Sequence, residues 1–227
     1  MSLNLKTLPS TGGKKFTAQA PIEAGNYPAR VVQIIEMGLQ PQRAFKGVDK
    51  PPAREIMLTY ELVDEFMKDD DGKDIEDKPR WVSEDFPLNN LDKDLAKSTK
   101  RYLVFDPDMT KFDGDITKVL GLPCSVAIVQ NVKGDNIYNN VANLTAMRPR
   151  DAAACPDLKN PTKLFLSDEP DMEVFKSLPK WLQERITGNL NYKGSVLEAE
   201  VAKLPKDTVK VAEKKVEETI TKEDNPY

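Results

Sequence analysis

The stretch AGNYPARVVQIIEMG, from Ala24 to Gly38, is the first indication of the fold class of the chain. It holds four β-branched residues, Val31, Val32, Ile34 and Ile35, and a glycine stands near each end. β-Branched side chains are restricted at χ1 and fit the pleated surface of a sheet. The stretch therefore predicts a long β-strand.

The residues that follow repeat the strand pattern with a period of two. In REIMLTYELVDEF (54–66), alternate apolar side chains are expected on one face: Ile56, Leu58, Tyr60 and Leu62. RWVSEDFPL (80–88) alternates in the same way, and the acidic KDDDGKDIEDKP (68–79) joins the two as a hairpin. CSVAIVQNV (124–132) and IYNNVANLTAM (137–147) predict two more strands around the turn KGDN (133–136).

Between the third and fourth strands the periodicity changes. NNLDKDLAKSTKRYLVF (89–105) predicts a helix that Asn90 can cap, and DITKVLGLP (115–123) predicts a short helical turn. Five short strands with a helix between the third and fourth follow the order of an OB-fold, a small Greek-key barrel. The predicted fold class is mainly β: a five-stranded OB-fold barrel with an inserted helix.

Four segments are expected along the chain. They are a flexible N-terminal arm (1–24), the barrel core (25–148), a C-terminal extension with short helices (149–200) and a flexible tail (201–227). Pro179 breaks the extension into two amphipathic helices. Trp181 shares the second helix with Leu182 and Ile186, which favours packing against the barrel over a partner surface.

Composition narrows the classes of function. Of 227 residues, 39% are hydrophobic and 31% are charged, and no apolar run is long enough to cross a membrane. The N-terminal residues lack the apolar segment of a secretory signal, and two cysteines make no disulfide framework. We therefore expect a cytoplasmic protein. The absence of histidine excludes Ser-His-Asp and Cys-His catalysis and most zinc chemistry, and no cofactor is predicted.

If the protein is an enzyme, carboxylates are the remaining candidates for its catalytic groups. The DDDGKDIED stretch would need an acid at Met67 and a glutamate at Lys78 to form a calcium loop, so a solvated hairpin tip is favoured. Asp106 and Asp108 are the nearest candidates for a metal-dependent nuclease, although their stretch is typical of a loop. We predict a protein that is not an enzyme and keep the nuclease as an alternative.

Charge and aromatic residues point to single-stranded nucleic acid. The net charge is -4, yet residues 1–50 carry seven basic and three acidic side chains. A basic groove with rings on which bases stack is the usual site for such a ligand. The predicted contacts are Phe45, Trp81, Tyr60, Tyr138, Arg43, Lys46, Lys50, Arg54, Arg80, Lys100, Arg101, Lys133 and Arg148.

The four rings differ in what their surroundings favour. Trp81 lies on the polar face of its strand, as a stacking platform or as a lid under which a loop packs. The basic loop around Phe45 favours a role in binding for this ring. Tyr60 shares a strand face with apolar residues, which favours a place in the core. For Tyr138 both possibilities stay open.

The chain resembles phage-encoded single-stranded DNA-binding proteins with an OB-fold. The most specific pieces are G-x-Y-P-A-R-x-V-x-I-I-x-x-G-x-Q (Gly25 to Gln40), L-G-x-P-C (Leu120 to Cys124) and PKWLQERI (179–186). In such proteins an acidic tail with a terminal aromatic recruits replication or recombination proteins. The final KEDNPY is similar in type, and the resemblance assigns that role to Glu223, Asp224, Pro226 and Tyr227.

The resulting hypothesis is a sequence-independent binder of single-stranded DNA in phage DNA replication or recombination, which would act in the host cytoplasm. Its predicted partners are single-stranded DNA and, through the tail, replication or recombination proteins, with no membrane. The first alternative is a structural or adaptor protein with an OB-like barrel and no DNA binding. The second is the carboxylate nuclease.

Overall fold

The structure, a computed structural model, describes residues 19–44 and 46–204. Its main element is an antiparallel sheet with strands β1 (Gly25–Gln40), β2 (Ala53–Lys68), β3 (Asp74–Pro87), β4 (Pro123–Lys133) and β5 (Asn136–Thr145). The smaller elements are α1 (Lys97–Leu103), a 3-10 turn (Ile116–Val119), α2 (Pro149–Ala154), β6 (Lys163–Phe165), α3 (Met172–Ser177), α4 (Lys180–Thr187) and α5 (Val196–Val201). The protein is mainly β, as predicted.

The five long strands form a curled half-barrel. Their order in the sheet is β3-β2-β1-β4-β5, and the edge strands β3 and β5 approach each other. Register shifts in β1, between Val31 and Gln33 and between Glu36 and Gly38, let this strand bend. The short β6 pairs in parallel with β1 at Gln33–Ile35, past the end of the β4 pairing. No helix in the two described ranges is long and apolar enough to span a bilayer.

Strand and helix boundaries depart from prediction where polar side chains act locally. The acidic hairpin loop is shorter than expected, because Lys68 pairs with Asp74 at 2.6 Å and the Asp69 carboxylate accepts the N–H groups of Asp71 and Lys73. Strand β3 therefore begins at Asp74. The predicted helix 89–105 is formed only at its end, as α1.

The polar residues before α1 stay in turns instead of extending the helix. Asn90 accepts the N–H of Asp92, so it closes a turn, and the Ser98 hydroxyl accepts the N–H of Asn89. The extension has three elements that the sequence pattern did not indicate, α2, β6 and α5, whereas α3 and α4 meet at Pro179 as expected.

The inner core fills the concave side of the half-barrel. Side chains from all five strands meet there, joined by residues of the segment between β3 and β4, with buried members Ala29, Val31, Ile34, Ile56, Leu58, Tyr60, Leu62, Val82, Phe86, Phe105, Val119, Cys124, Val126, Ile128 and Leu144. Ile22 joins this core from the N-terminal side, where Asn139 and Gln130 bond to its backbone.

A second core lies between the sheet and the C-terminal extension. Its buried members are Ile35, Met37, Met57, Phe165, Phe175, Leu178, Leu182, Ile186, Leu197 and Val201. Gly38 allows the closest approach: its φ is +74°, and a Cβ there would lie 2.6 Å from the side chain of Asn189. The extension is therefore packed on the sheet.

A buried ion pair stands inside the half-barrel. Arg101 of α1 is 4% exposed and donates to both carboxylate oxygens of Glu84, at 2.7 and 3.0 Å. Tyr60, with no exposed surface, donates its hydroxyl to the same carboxylate at 2.8 Å. Lys97 adds a third cationic contact at 2.9 Å from the more exposed side. The network ties α1 to β2 and β3.

The position of this network corrects two sequence predictions. Tyr60 and Arg101 were predicted to contact DNA, but the ring and the guanidinium are enclosed and already bonded to Glu84. A buried carboxylate on an apolar strand face needs such partners, because an unpaired charge is costly there. Both residues therefore leave the predicted DNA-contacting set.

Replacing Arg101 by alanine should destabilise the fold severely. The change leaves the Glu84 carboxylate buried without its main partner, which costs about 3–5 kcal/mol of unfolding free energy. Lys97→Ala is the matched control, because it removes a half-exposed partner of the same carboxylate and should cost under about 1 kcal/mol. Urea denaturation followed by circular dichroism measures both. Equal effects of the two changes would contradict this account.

The same network predicts a dependence of stability on pH. Burial raises the pKa of Glu84, but the hydrogen bonds from Arg101 and Lys97 outweigh it and hold the pKa below its ordinary value. A carboxyl whose pKa is lower in the folded state stabilises the fold when it is ionised. This contribution is complete above the unfolded pKa of about 4.3, and it is lost as the pH falls through the folded pKa. The stability difference between wild type and Glu84→Gln should therefore shrink between pH 5 and pH 2. A constant difference over that range would show that Glu84 does not titrate differently on folding.

Candidate nucleic-acid interface

The outer face of β2 is covered by the C-terminal extension. Glu61 is 1% exposed and accepts the backbone N–H of Lys159 at 2.6 Å and the Asn160 amide at 2.7 Å. Six residues earlier in the same strand, Glu55 accepts Arg185 of α4 at 2.5 Å. The two carboxylates fix different parts of the extension, so a ligand has no access to this face of β2.

A polar row across three strands leads from the covered face to the exposed edge strand. Arg30, Glu61 and Trp81 lie in register on β1, β2 and β3, so their side chains share the outer face. Arg30 donates to the carbonyls of Cys155 and Pro156 at 2.9 and 2.7 Å. Arg30 and Glu61 therefore hold the start of the extension against the sheet, and Trp81 lies next to them on the edge strand.

Trp81 donates to the carboxylate that holds the extension, and it is also partly exposed. Its indole N–H donates to Glu61 at 3.0 Å, beside the loop that Glu61 holds. The side chain nevertheless stays 38% exposed. With Ser83 and Asp85, also exposed on β3, it forms an accessible strip next to the extension. One edge of the ring is fixed while part of it remains available to a ligand.

Tyr138 lies on an exposed hairpin. It is 50% exposed and opposite Asn131 in the β4–β5 pair, with Val129 on the same face. Val132 and Ile137 form an exposed cross-strand pair on the other face. The outer part of this hairpin thus presents apolar side chains on both faces.

The basic residues of the β1–β2 loop are accessible. Arg43, Lys46 and Lys50 are all exposed in this connection, which leaves the sheet at the end of β1. Phe45 lies outside the described residues. Three cations in one short loop form the densest basic group that the sequence analysis selected.

Arg54 and Arg80 are less available than predicted. Arg54 donates to Glu36 at 2.6 Å and to Asp168 at 3.0 Å, and hydrogen bonding to Glu36 raises the pKa of its guanidinium. Arg80 is only partly exposed, and burial lowers the pKa of its guanidinium. To contact a phosphate, the Arg54 guanidinium would have to give up its bonds to Glu36 and Asp168.

The remaining predicted cations are dispersed. Lys100 is exposed on α1, and Arg148 is exposed but bonded to Asp151 at 2.6 Å. Lys133 is the last residue of β4, beyond the start of β1, whereas the Arg43 loop lies beyond the end of β1. The structure therefore brings Arg43, Lys46 and Lys50 together but does not gather all the predicted cations into one patch.

The candidate nuclease carboxylate has a structural task. Asp106 accepts the N–H groups of Thr110, Lys111 and Phe112 at 3.0–3.1 Å and the Tyr102 hydroxyl at 2.9 Å. Its lone pairs are thus engaged in closing a loop. Within residues 19–44 and 46–204, no three acidic or cysteine side chains are grouped to hold a metal ion.

Trp181 is a surface residue, contrary to the packing that the sequence favoured. Leu182 and Ile186 fill the second core, but Trp181 lies off that stripe and is 55% exposed. The signal was present in the sequence, since positions 182 and 186 are four apart and position 181 falls beside them. The predicted tail residues Glu223, Asp224, Pro226 and Tyr227 lie outside the described residues.

Replacing Glu61 by alanine should loosen the extension beside Trp81. Three donors lose one buried carboxylate, and hydrogen bonds to charged groups contribute about 1.5–3 kcal/mol each, so a loss of at least about 2 kcal/mol is expected. Asp157→Ala is the control, because this fully exposed carboxylate pairs with Arg30 and its loss should leave stability unchanged. Urea denaturation gives the stability of each variant.

A second readout is local to the ring. In a Trp181→Phe background the emission of Trp81 should shift to longer wavelength when Glu61 is removed, because water then reaches the indole N–H. Unchanged emission together with unchanged stability would show that Glu61 does not hold this region.

Comparison with known proteins gives no further identification. Protein-family models, curated proteins and solved structures all lack a match to this chain. The resemblance to phage-encoded single-stranded DNA-binding proteins therefore stays a prediction. Function has to follow from the exposed rings and the basic loop.

Proposed function

We propose that the protein binds single-stranded DNA without sequence preference, on an OB-type barrel, and serves phage DNA replication or recombination. The strand order β3-β2-β1-β4-β5 and the position of α1 between β3 and β4 are compatible with that barrel. The curled sheet supports the fold class only, and the ligand has to be argued from side chains.

The observation that carries the proposal is the exposure of two aromatic rings on the edge strands. Every large apolar side chain of β1, β2 and β3 is buried or partly buried except Trp81 on β3, which is 38% exposed, and Tyr138 on β5 is 50% exposed. Bases stack on such rings with about 1–3 kcal/mol each, whatever their sequence.

The distribution of charge favours one end of the sheet for the DNA backbone. The β2–β3 turn and the start of β3 are acidic and exposed, with Asp69, Asp70, Asp71, Asp74, Glu76 and Asp77. The β1–β2 loop, at the opposite end of the strands, holds Arg43, Lys46 and Lys50. Phosphates are attracted to the second end and repelled from the first, so we place the DNA path between the basic loop and Trp81.

A recruiting role for the tail belongs to the same proposal. Glu223 and Asp224 with the terminal carboxylate would meet a basic rim on a partner, and the Tyr227 ring would enter a pocket. This part rests on the sequence alone.

The adaptor hypothesis keeps one specific observation in its favour. Val129, Val132 and Ile137 are exposed together on the β4–β5 hairpin, which is more typical of a protein contact than of a DNA contact. An adaptor of this kind would not bind DNA even at low salt.

Titration of a fluorescently labelled oligo-dT of about 30 nucleotides tests the proposal. Anisotropy should show binding that weakens steeply as salt rises, because phosphate contacts release counterions. Arg43→Ala should reduce the slope of log K against log salt by about 0.7, the value for one phosphate contact on a single strand. Lys203→Ala, an exposed lysine of the extension paired with Glu200, should leave the slope unchanged.

The outcomes separate the three hypotheses. Binding to the oligonucleotide and much weaker binding to a matching duplex supports the proposal. No binding at low salt overturns it in favour of the adaptor. Magnesium-dependent shortening of the oligonucleotide would instead support the nuclease.

A further inference from the structure

We propose that Trp181, from the C-terminal extension, and Trp81, from β3, form one two-ring platform on which bases of single-stranded nucleic acid stack. The inference rests on the proposed function and assigns a contact outside the barrel. It starts from the exposure of Trp181, the larger of two exposed tryptophan surfaces, on a helix whose buried stripe does not include it.

An ion pair places both tryptophans on the same surface. Arg185 lies four residues after Trp181, one helical turn along the same side of α4. Its guanidinium donates to Asp85 at 2.8 Å, and Asp85 shares the outer face of β3 with Trp81. The strip of β3 and the side of α4 that carries Trp181 are therefore adjacent.

The direction of α4 places the two rings on the same side of this ion pair. The end of α3 lies next to the middle of β1, since Lys163 pairs with Gln33 and its ammonium donates to Ser177. The end of α4 lies next to the end of β1, where Gln40 donates to the Arg185 carbonyl. Helix α4 thus runs in the direction of β1 and β3, so Trp81 and Trp181 both precede the Arg185–Asp85 contact.

Element geometry gives the spacing. Trp81 precedes Asp85 by four strand residues, roughly 13 Å, and Trp181 precedes Arg185 by four helical residues, roughly 6 Å. Along the strand direction the two rings are therefore offset by roughly 7 Å, about two steps of stacked bases at roughly 3.4 Å each. The platform suits two or three successive nucleotides.

Exposed lysines beside the two rings favour nucleic acid as the occupant. Lys159, whose N–H shares Glu61 with the Trp81 indole, and Lys180, the neighbour of Trp181, are both exposed. Arg185 is already paired with Glu55 and Asp85, so it offers no charge to a ligand. The two lysine ammonium groups are the ones that can contact the phosphates of a strand whose bases stack on the rings.

The two tryptophans are the only ones in the chain, so intrinsic fluorescence reports each ring separately. Trp81→Phe leaves Trp181 as the emitter, and Trp181→Phe leaves Trp81. Titration with unlabelled oligo-dT of about 30 nucleotides should quench both single-tryptophan proteins. Trp181→Ala should weaken binding of labelled oligo-dT roughly 5- to 150-fold, the loss of one stacked base.

Val196→Ala is the matched control, an exposed apolar residue of the same extension on α5. It should bind as wild type, and Trp181→Ala, Trp181→Phe and Val196→Ala should keep the wild-type melting temperature because these side chains are exposed. Trp81→Phe also loses the indole bond to Glu61, so its binding is compared at a temperature where the variant is folded. If wild type binds but Trp181→Ala binds equally well and Trp181 is not quenched, the platform is wrong and the proposed function stands. If wild type does not bind at low salt, the proposed function fails first.

Discussion

From Val31 to Gly38, the strand β1 is buried on both faces, and the rest of the molecule depends on this constraint. Val31 and Ile34 contact the inner core, whereas Ile35 and Met37 contact the second core. Burying each such side chain stabilises the fold by roughly 1.5–3 kcal/mol relative to exposure. Without the C-terminal extension, which covers the outer side of the half-barrel, Ile35 and Met37 would be exposed to water. The central strand therefore requires the extension.

Buried carboxylates determine how that cover is seated. Glu36, Glu55 and Glu61 are all less than a tenth exposed, and each bonds a different part of the extension: Ser167, Arg185, and Lys159 with Asn160. Apolar contact alone is non-directional and would allow the cover to slide along the sheet. A buried carboxylate without its donors is costly, so these three groups fix one position of the extension.

Local pattern predicted the strands well because the strand signal is local. The β-branched run of β1 and the alternation in β2 needed no knowledge of other segments. The same alternation puts Glu84 on a face with Val82 and Phe86, where a buried carboxylate needs a partner that the pattern does not identify. That partner, Arg101, arrives from a helix 17 residues away, and no spacing rule relates the two.

Local sequence patterns could not predict that the C-terminal extension packs on the sheet. The bond from Arg185 to Glu55 joins residues 130 apart in the chain, and the bond from Lys159 to Glu61 joins residues 98 apart. The only local sign was β1, apolar at consecutive positions and therefore unsuited to a solvated face. That pattern predicts that some segment covers β1 without identifying the segment, and so Arg101 was taken for a surface residue and Trp181 for a packed one. For Tyr60 the apolar strand face favoured the core, which the structure confirms.

The same constraint shapes where a ligand can bind. Once the extension covers the outer face of β2, the face of a small barrel that would ordinarily be open is reduced to the strip of β3 at its border. Under the proposed function, a strand of nucleic acid that follows this strip would lie against the extension. The segment that stabilises β1 thus also supplies one wall of the candidate interface, and mutations that loosen its seating at Glu61 change the surroundings of Trp81 through the hydrogen bond they share.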